Sequence, residues 1–569
     1  MFKKLAAVVL TGLTVGTVVS GLVQIFLHLV DVLSSLFRTN SYIVKGDLLE
    51  DEIVVSNVII YSIIIPSIIG LLVGFIRLLN KDKRWHGPPD VILSVHEEKS
   101  ELNIKSGFLT SIASILSISC GSSVGQYGPL VHFGATIGAE LKKLFSNLPD
   151  YKILIGCGVA SAISAGFGAP LAGLIFAREV ILRHQSLLSF SPILLSSIIS
   201  YVITIKFYDY EPNFTIPDIS IQNLYNIFFL ILAGILCGIL ATIYSNFLSS
   251  PKLKPLETLF PKTYLNPAFA GLICGLVAMY FPEVTGIGTE TINQLINNFV
   301  TLKNALIFLA LKLVLTTICI RMGLVGGIFA PALFLGASLG VVVSKLGSLI
   351  TDQIDPILIT ISSMAAIGSC IIGGPIANVL IIFELTSNYE AALSAGICIV
   401  IATIISSKYV GQSTFDQILK NKKIDISSGR DFIFLKSIKI KELINKNYLS
   451  FSGKETIEQS IDKFVDLKCS EGYLVDDKNY LKAKVNLVDL MKINKSYLLK
   501  DLETKSFLKI KDDRNVLQTI EDCKEFVGES IPVVDSNGLL IGIFSENDLF
   551  KCYSDAQSLR KRIETKEEG

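Results

Sequence analysis

Apolar runs recur along the first 420 residues: Leu5 to Leu36, Val54 to Leu79, Gly107 to Ser119, Ile153 to Ile181, Leu187 to Ile205, Leu224 to Phe247, Ala268 to Phe281, Ala305 to Ile320, Ile328 to Val343, Ile357 to Phe383 and Ala391 to Ile405. Several fall short of the roughly 20 residues that carry a helix across a bilayer, and others are too long and are cut by Gly and Pro. Unequal, broken helices predict a transporter-like bundle whose irregular backbone lines a buried site. Beyond about residue 420 Lys, Asp and Glu become frequent, and short alternating strands appear between amphipathic helices. That change predicts an all-α polytopic membrane domain followed by a small soluble α/β domain.

Composition agrees with a membrane protein, since half of the 569 residues are hydrophobic and only 18% are charged. The 50 acidic residues nearly cancel the 51 Lys and Arg, so net charge gives no reason to expect a nucleic-acid partner. Ten cysteines stand singly, mostly in apolar segments, with no pair at metal-ligand or redox spacing, and are expected as reduced packing residues. After Met1-Phe2-Lys3-Lys4 the apolar run is too long for a signal-peptide core and reads as a retained first membrane helix. Lys and Arg crowd Arg77 to Arg84, Lys142-Lys143 and Arg178 to Arg183, which predicts cytoplasmic N- and C-termini. The Lys/Ile/Asn-rich composition points to a bacterial plasma membrane.

Two internal repeats can be read directly. Gly128-Pro129, Gly134 and Gly138 match Ala330-Pro331, Gly336 and Gly340, about 202 residues on. Ala169-Pro170 through Glu179 matches Gly374-Pro375 through Glu384, about 205 residues on. Two matches in the same order predict duplicated halves, about 1–210 and 211–420 of a 1–420 transmembrane domain, with the substrate site at their interface. The soluble region repeats at an offset of about 59, for example Leu474-Val475-Asp476 with Val533-Val534-Asp535, giving units at 430–495 and 496–569. Each unit reads as strand, helix, strand, strand, helix.

An anion site needs N–H and O–H donors, whereas a cation site needs clustered carboxylates or carbonyls. Donors are what the broken helices supply. Gly121-Ser122-Ser123-Val124-Gly125-Gln126-Tyr127-Gly128-Pro129 leads into an apolar helix, and Gly326-Gly327-Ile328-Phe329-Ala330-Pro331 is its counterpart. Trp85-His86-Gly87-Pro88-Pro89-Asp90 makes a third such start. Three helix N-termini, each with the positive end of its dipole, are expected to converge on one anion.

These residues resemble the CLC chloride channels and proton-coupled anion transporters over essentially the whole chain. Gly327-Ile328-Phe329-Ala330-Pro331 fits that family's Gly-x-Phe-x-Pro motif, and Ala169-Pro170-Leu171-Ala172-Gly173 looks like its conserved stretch after the first anion-binding helix. The resemblance implies two inverted-topology halves, a homodimer with one anion pathway per subunit, and a paired CBS module on the cytoplasmic side. It implies anion contacts at His86, Gly87, Gly125, Gln126, Tyr127, Gly128, Gly327, Ile328, Phe329, Ala330 and Phe415. CBS pairs often hold an adenine nucleotide, and Ser545-Glu546-Asn547-Asp548 fits the ribose-binding pattern, whereas Asn486 to Asp489 keeps only the aspartate. The chain is expected to need no cofactor beyond that nucleotide, and not to be an enzyme.

Four functional positions depart from the family. Tyr127 stands where the gating glutamate belongs, His86 where a serine does, Phe415 where a tyrosine caps the ion, and Val180 where the antiporters carry their proton-transfer glutamate. A phenol titrates near 10 and stays neutral, so Tyr127 neither competes with the anion nor carries a proton. The expectation is voltage- or ligand-modulated, channel-like passage of chloride or another small inorganic anion, uncoupled from protons and gated by Tyr127. His86, titrating near neutrality, can lend the pathway pH dependence. Two alternatives stay open: a proton-coupled antiporter using another acid such as Glu179, and a CBS-bearing magnesium transporter or sensor.

Overall fold

The computed structural model describes residues 2–38, 60–97, 101–144, 150–183, 187–208, 214, 224–422, 424, 435–436, 438–502, 506–524 and 526–555. The chain divides into two compact units, Met1–Ser427 and Ser428–Gly569. Residues 54–59 of the second apolar run lie outside the described residues.

The first unit is helical. Its first half runs α1 Phe2–Arg38, α2 Ile65–Leu79, α3 Pro88–His96, α4 Ile104–Ser119, α5 Tyr127–Leu144, α6 Tyr151–Phe167, α7 Pro170–Phe176 and α8 Leu187–Phe207. The second runs α9 Leu224–Ser249, α10 Asn266–Ala278, α11 Thr289–Ile296, α12 Leu302–Arg321, α13 Phe329–Gly347, α14 Pro356–Ile372, α15 Pro375–Thr386 and α16 Tyr389–Val410, with α17 Thr414–Asn421 following. Among the described residues seven helices are long and apolar enough to cross a membrane, while α4, α6, α10, α14 and α15 are shorter.

The long runs break where the sequence dictates. α6 ends on Gly168 at φ +65° and α14 on Gly373 at φ +74°, a left-handed turn that glycine adopts without penalty. Pro170 and Pro375 then open α7 and α15, where a missing N–H costs nothing. Equivalent helices make equivalent contacts: α1 packs on α8 as α9 does on α16, and α5 on α6 as α13 does on α14.

The halves meet through equivalent residues. On α2, Gly70 and Gly74 face the backbone oxygens of Pro267 and Tyr264; on α10, Gly271 and Gly275 face those of Pro66 and Ser62. Any side chain at these glycines would collide with backbone. Glu179, in the π-helical turn Ala177–Leu182 after α7, accepts the amide hydrogens of Ile376 and Ala377 at 3.1 and 2.8 Å. Glu384 on α15 returns the arrangement, accepting those of Leu171 and Ala172 at 2.8 Å each. Each carboxylate thus caps the helix start of the other half, at the positive end of its dipole.

The second unit holds two three-stranded sheets. β1 (Ser450–Ser452) pairs in parallel with β2 (Glu471–Val475), which pairs antiparallel with β3 (Leu481–Asn486); β4 (Ile510–Lys511), β5 (Ser530–Val534) and β6 (Leu540–Ser545) repeat the order. Between the first two strands of each sheet lies a helix, α18 (Ile457–Leu467) or α19 (Val516–Asp522), opened by a capping box at Thr456/Gln459 or Asn515/Gln518. The expected strand and helix order is therefore present in both copies. Each copy has its own apolar core, around Phe451 and Phe464 in one and Ile531 and Phe544 in the other.

Here too the copies touch through equivalent positions. Glu471 accepts hydrogen bonds from the amides of Glu529 and Ser530 and pairs with Lys484 at 2.7 Å, while Tyr473 and Ser530 join through their hydroxyls at 2.6 Å. Burial alone pushes the Glu471 carboxyl up, but Lys484, the Glu529 amide and Ser530 outweigh it, so its pKa lies below the ordinary 4.5. A depressed folded value gives stability that is present above the ordinary pKa and lost as pH falls through the folded one. Glu471→Gln should therefore lower the melting temperature of this unit by several degrees near neutral pH and by much less near pH 3, read by thermal unfolding at both. Equal losses at both pH values would exclude a charged clamp.

Candidate functional site

The lead-ins to α5 and α13 cross one another. Gly125 donates its N–H to the carbonyl of Gly327 at 2.7 Å, and Gly327 donates back at 2.5 Å, an antiparallel bridge between residues 202 apart. Only glycine permits this approach: a Cβ on Gly327 would lie 2.6 Å from the Gly128 nitrogen, and one on Gly125 2.8 Å from Cβ of Ala330. The crossing is anchored from outside. Ser123 bonds Thr316 at 3.1 Å, Gly286 donates to Gly121, Val325 donates to Ser117, and the buried Tyr244 hydroxyl donates to the Ile328 carbonyl at 3.3 Å.

From that crossing the chain enters α5 at Tyr127 and α13 at Phe329, so the first-turn amides of Gly128, Phe329 and Ala330 have no acceptor within their helices. A cavity of about 530 Å³ opens beside them. Tyr127, Gly128, Gly327, Ile328, Phe329, Phe415, His86 and Gly87 line it. Gly125, Gln126 and Ala330 do not, although all are buried or lie at the crossing. Eight of the eleven sequence-derived contacts are thereby brought to one place.

Two of the expected donors are already spent. The amides of Gly125 and Gly327 serve the bridge, so these glycines shape the site instead of offering N–H groups to an ion. Gly87 also differs from expectation: its N–H is held by Asp90 Oδ2 at 2.9 Å in the capping box of α3. Pro88 and Pro89 have no N–H, and the Asp90 amide turns to the Gly87 carbonyl. α3 brings a carboxylate to its own start and no first-turn amide from Gly87, so two helix N-termini, not three, present donors.

The aromatic residues form one wall. Tyr127 stacks on Phe167 with centroids 3.6 Å apart and planes 10° from parallel, and both rings meet Phe329 edge-on at 6.1 and 5.8 Å. Gly166 lies against the phenol ring, a Cβ there falling 3.4 Å from it. Phe415, at the start of α17, is buried and faces the same cavity. Val180 is buried behind α15, where a Cβ on Gly374 would meet its Cγ2 at 2.9 Å, and is not part of the lining.

The rest of the lining is rich in basic side chains. Arg77, Arg84, Lys254, Arg321 and Lys422 face two acids, Asp90 and Glu257. Each acid is already paired, Asp90 with Arg84 and Glu257 with Arg321, both at 2.6 Å. The surplus is positive, which concentrates small anions and repels cations at the cavity. Only Arg77 and Arg84 stand in a segment whose basic character is conspicuous in the sequence; Lys254, Arg321 and Lys422 arrive from three distant loops and helix ends. The Trp85 indole fixes this rim by donating to the Gly323 carbonyl at 2.9 Å.

In the soluble unit, Ser545 and Asp548 are close but occupied with each other. Asp548 Oδ2 accepts from both the amide and the hydroxyl of Ser545 at 2.8 Å. The pair caps the helix that continues from β6, a role that holds with or without a nucleotide. Among the described residues no cluster of three or more His, Cys, Asp or Glu side chains is arranged to hold a metal.

Known proteins agree with this architecture. The sequence model of the family described as voltage gated chloride channel matches residues 67–407, and that of the CBS domain matches residues 499–555. The voltage-gated ClC-type chloride channel ClcB of Escherichia coli O81 is 25% identical over 436 residues, covering 73% of this chain and 99% of the relative. The chloride channel protein CLC-f of Arabidopsis thaliana is 24% identical over 542 residues, 87% of this chain and 63% of CLC-f. Among solved structures, a eukaryotic CLC transporter superposes with a TM-score of 0.64 at 18% identity, over 96% of this chain and 99% of the other. A slow cyanobacterial Cl⁻/H⁺ antiporter gives 0.64 at 20% identity, over 74% and 98%. These structures share the fold. The family match covers more than half of the sequence and agrees with the crossed helix starts, so the chain belongs to the CLC family of chloride channels and proton-coupled antiporters, anion transport proteins of the membrane, and carries a CBS domain at its C-terminus.

Proposed function

We propose that the protein conducts a small inorganic anion of the chloride class passively, with Tyr127 as the gate and no obligatory proton exchange. The observation that carries this reading is Tyr127 itself: a phenol, stacked on Phe167 and edge-on to Phe329 at the start of α5, supports a gate that does not ionise near neutrality. Val180, equally unable to take a proton, occupies the second acid's place. The first-turn amides of α5 and α13 supply donors for the desolvated ion, the basic rim supplies its local concentration, and the aromatic wall supplies the barrier.

The antiporter alternative needs another acid near the path. Glu179 is poorly suited, because both its oxygens hold the start of α15 and it does not line the cavity. The magnesium reading gives way to the family match. A homodimer belongs to this proposal too, as the family resemblance implies. An adenine nucleotide at Ser545 and Asp548 belongs to the same proposal, as does a bacterial plasma membrane with both termini cytoplasmic.

The test is chloride efflux from vesicles loaded with potassium chloride and made permeable to potassium by an ionophore. Protein-dependent efflux at least about tenfold above protein-free vesicles is the expected outcome; efflux equal to the blank would remove the conduction reading.

A further inference from the structure

Two histidines from separate elements meet beside the cavity. His86, ahead of α3, lines it, and His132 lies five residues beyond Tyr127 on α5, about 7.5 Å along the helix axis. Their ring centroids are 5.9 Å apart with planes tilted by 35°. His132 is fully buried. Among the described residues its Nδ1 and the Nε2 of His86 are both buried nitrogens with no hydrogen-bond partner, an arrangement costly enough to require a reason.

We infer that His86 and His132 form a proton-binding site whose occupancy is linked to that of the anion in the cavity. The inference rests on the anion-conduction reading. The fixed charges around the pair cancel. Asp82 lies 3.8 Å from Nε2 of His86 and Asp90 4.0 Å from its Nδ1, both favouring a protonated ring. Arg84, bound to Asp90, and Lys422 at the end of α17 oppose it, and Asp90 and Arg84 act on His132 in the same senses. The charges on the turn that packs against α3 are engaged elsewhere: Glu179 with the start of α15, Arg178 over the Phe190 ring, and the adjoining Arg183 with Asp416.

With two acids set against two bases and burial opposing a charged ring, the pair is neutral until another charge arrives. A chloride in the cavity supplies it. The ion draws a proton from the cavity water onto the pair, and a protonated pair holds the ion more tightly by the same factor. No proton crosses the membrane in this cycle, since the Tyr127 phenol neither accepts nor passes one near neutrality; the proton returns to the cavity when the ion leaves. Anion binding is therefore strengthened by acid without being coupled to proton transport.

The experiment is calorimetric titration of chloride into the full-length protein in detergent, at about pH 5, below the ordinary histidine range because both rings titrate low, in two buffers of different ionisation enthalpy. Burial lowers both imidazoles, so linkage predicts net uptake of a few tenths of a proton per chloride bound at acid pH, and a chloride affinity several-fold higher near pH 4.5 than near pH 7.5, roughly the size of one such coupling. Both effects should disappear in His132→Gln and in His86→Gln, the latter at the cavity wall where the core is left undisturbed. Chloride binding without proton uptake, or uptake that persists in both variants, would overturn the inference and leave conduction intact. Failure of chloride to bind at all would overturn the conduction reading and this one with it.

Discussion

Tyr127→Ala should raise chloride flux by about tenfold or more. The phenol makes a close parallel stack with Phe167 and an edge contact with Phe329, and one such aromatic pair is worth about 0.5–1.5 kcal/mol beyond its buried area. If the stack holds the pathway closed, removing its upper value changes the open fraction by about a factor of ten. Tyr127→Phe keeps the ring and loses the hydroxyl, so its flux should stay within about threefold of wild type while selectivity among anions weakens. Tyr127→Glu installs an ionisable gate and should make flux fall as pH rises through the carboxylate's titration. Flux that is indifferent to Tyr127→Ala, measured in vesicles at matched protein content, contradicts the gating role.

Gly327→Ala should abolish transport while the protein still inserts. The new Cβ would lie 2.6 Å from the Gly128 nitrogen and 3.3 Å from the Gly125 carbonyl oxygen, so it must push apart the two lead-ins that bond each other. Overpacking costs about 1–3 kcal/mol, and each buried backbone group left bare costs about as much again. A melting temperature several degrees lower and a flux reduced by at least about a hundredfold are expected. Gly396→Ala is the contrast: its Cβ would meet only Val379 at 3.9 Å, and within α16 alanine is the better helix former. Equal behaviour of the two variants would show that the crossing has no special need of glycine.

The crossing also shows how far the sequence could be read. Matching Pro129 to Pro331 and Glu179 to Glu384 predicted duplicated halves, and the folded chain sets those matched segments against each other: Gly125 bonds Gly327, while Glu179 and Glu384 cap each other's partner helices. A third match stands in the same sequence, Pro66, Gly70 and Gly74 against Pro267, Gly271 and Gly275, at an offset of 201. Its four glycines each face a backbone oxygen of the other half.

What local patterns cannot give is the partner of a backbone group. A glycine-rich lead-in predicts unpaired amides, yet those of Gly125 and Gly327 are consumed by a strand-like bridge between residues 202 apart. Gly87 fails for a nearer reason, since Asp90, three residues on, reaches back as the helix cap. The basic rim was hidden because Lys254, Arg321 and Lys422 share no segment. Phe167, 40 residues from Tyr127, joins it only because α6 ends at Gly168 beside the start of α5. Glu179 was a plausible proton carrier by position; two amide bonds make it a structural cap.

On the proposed mechanism anions pass without protons. The most direct measurement records chloride and proton movement together in vesicles holding the wild-type protein, with an outward chloride gradient and a potassium ionophore to clamp the voltage. Chloride should leave while the internal pH stays at the protein-free baseline, apart from the fraction of a proton per protein that the histidine pair exchanges with its own side. Sustained proton movement in fixed proportion to chloride, able to run uphill against a pH gradient, would contradict it.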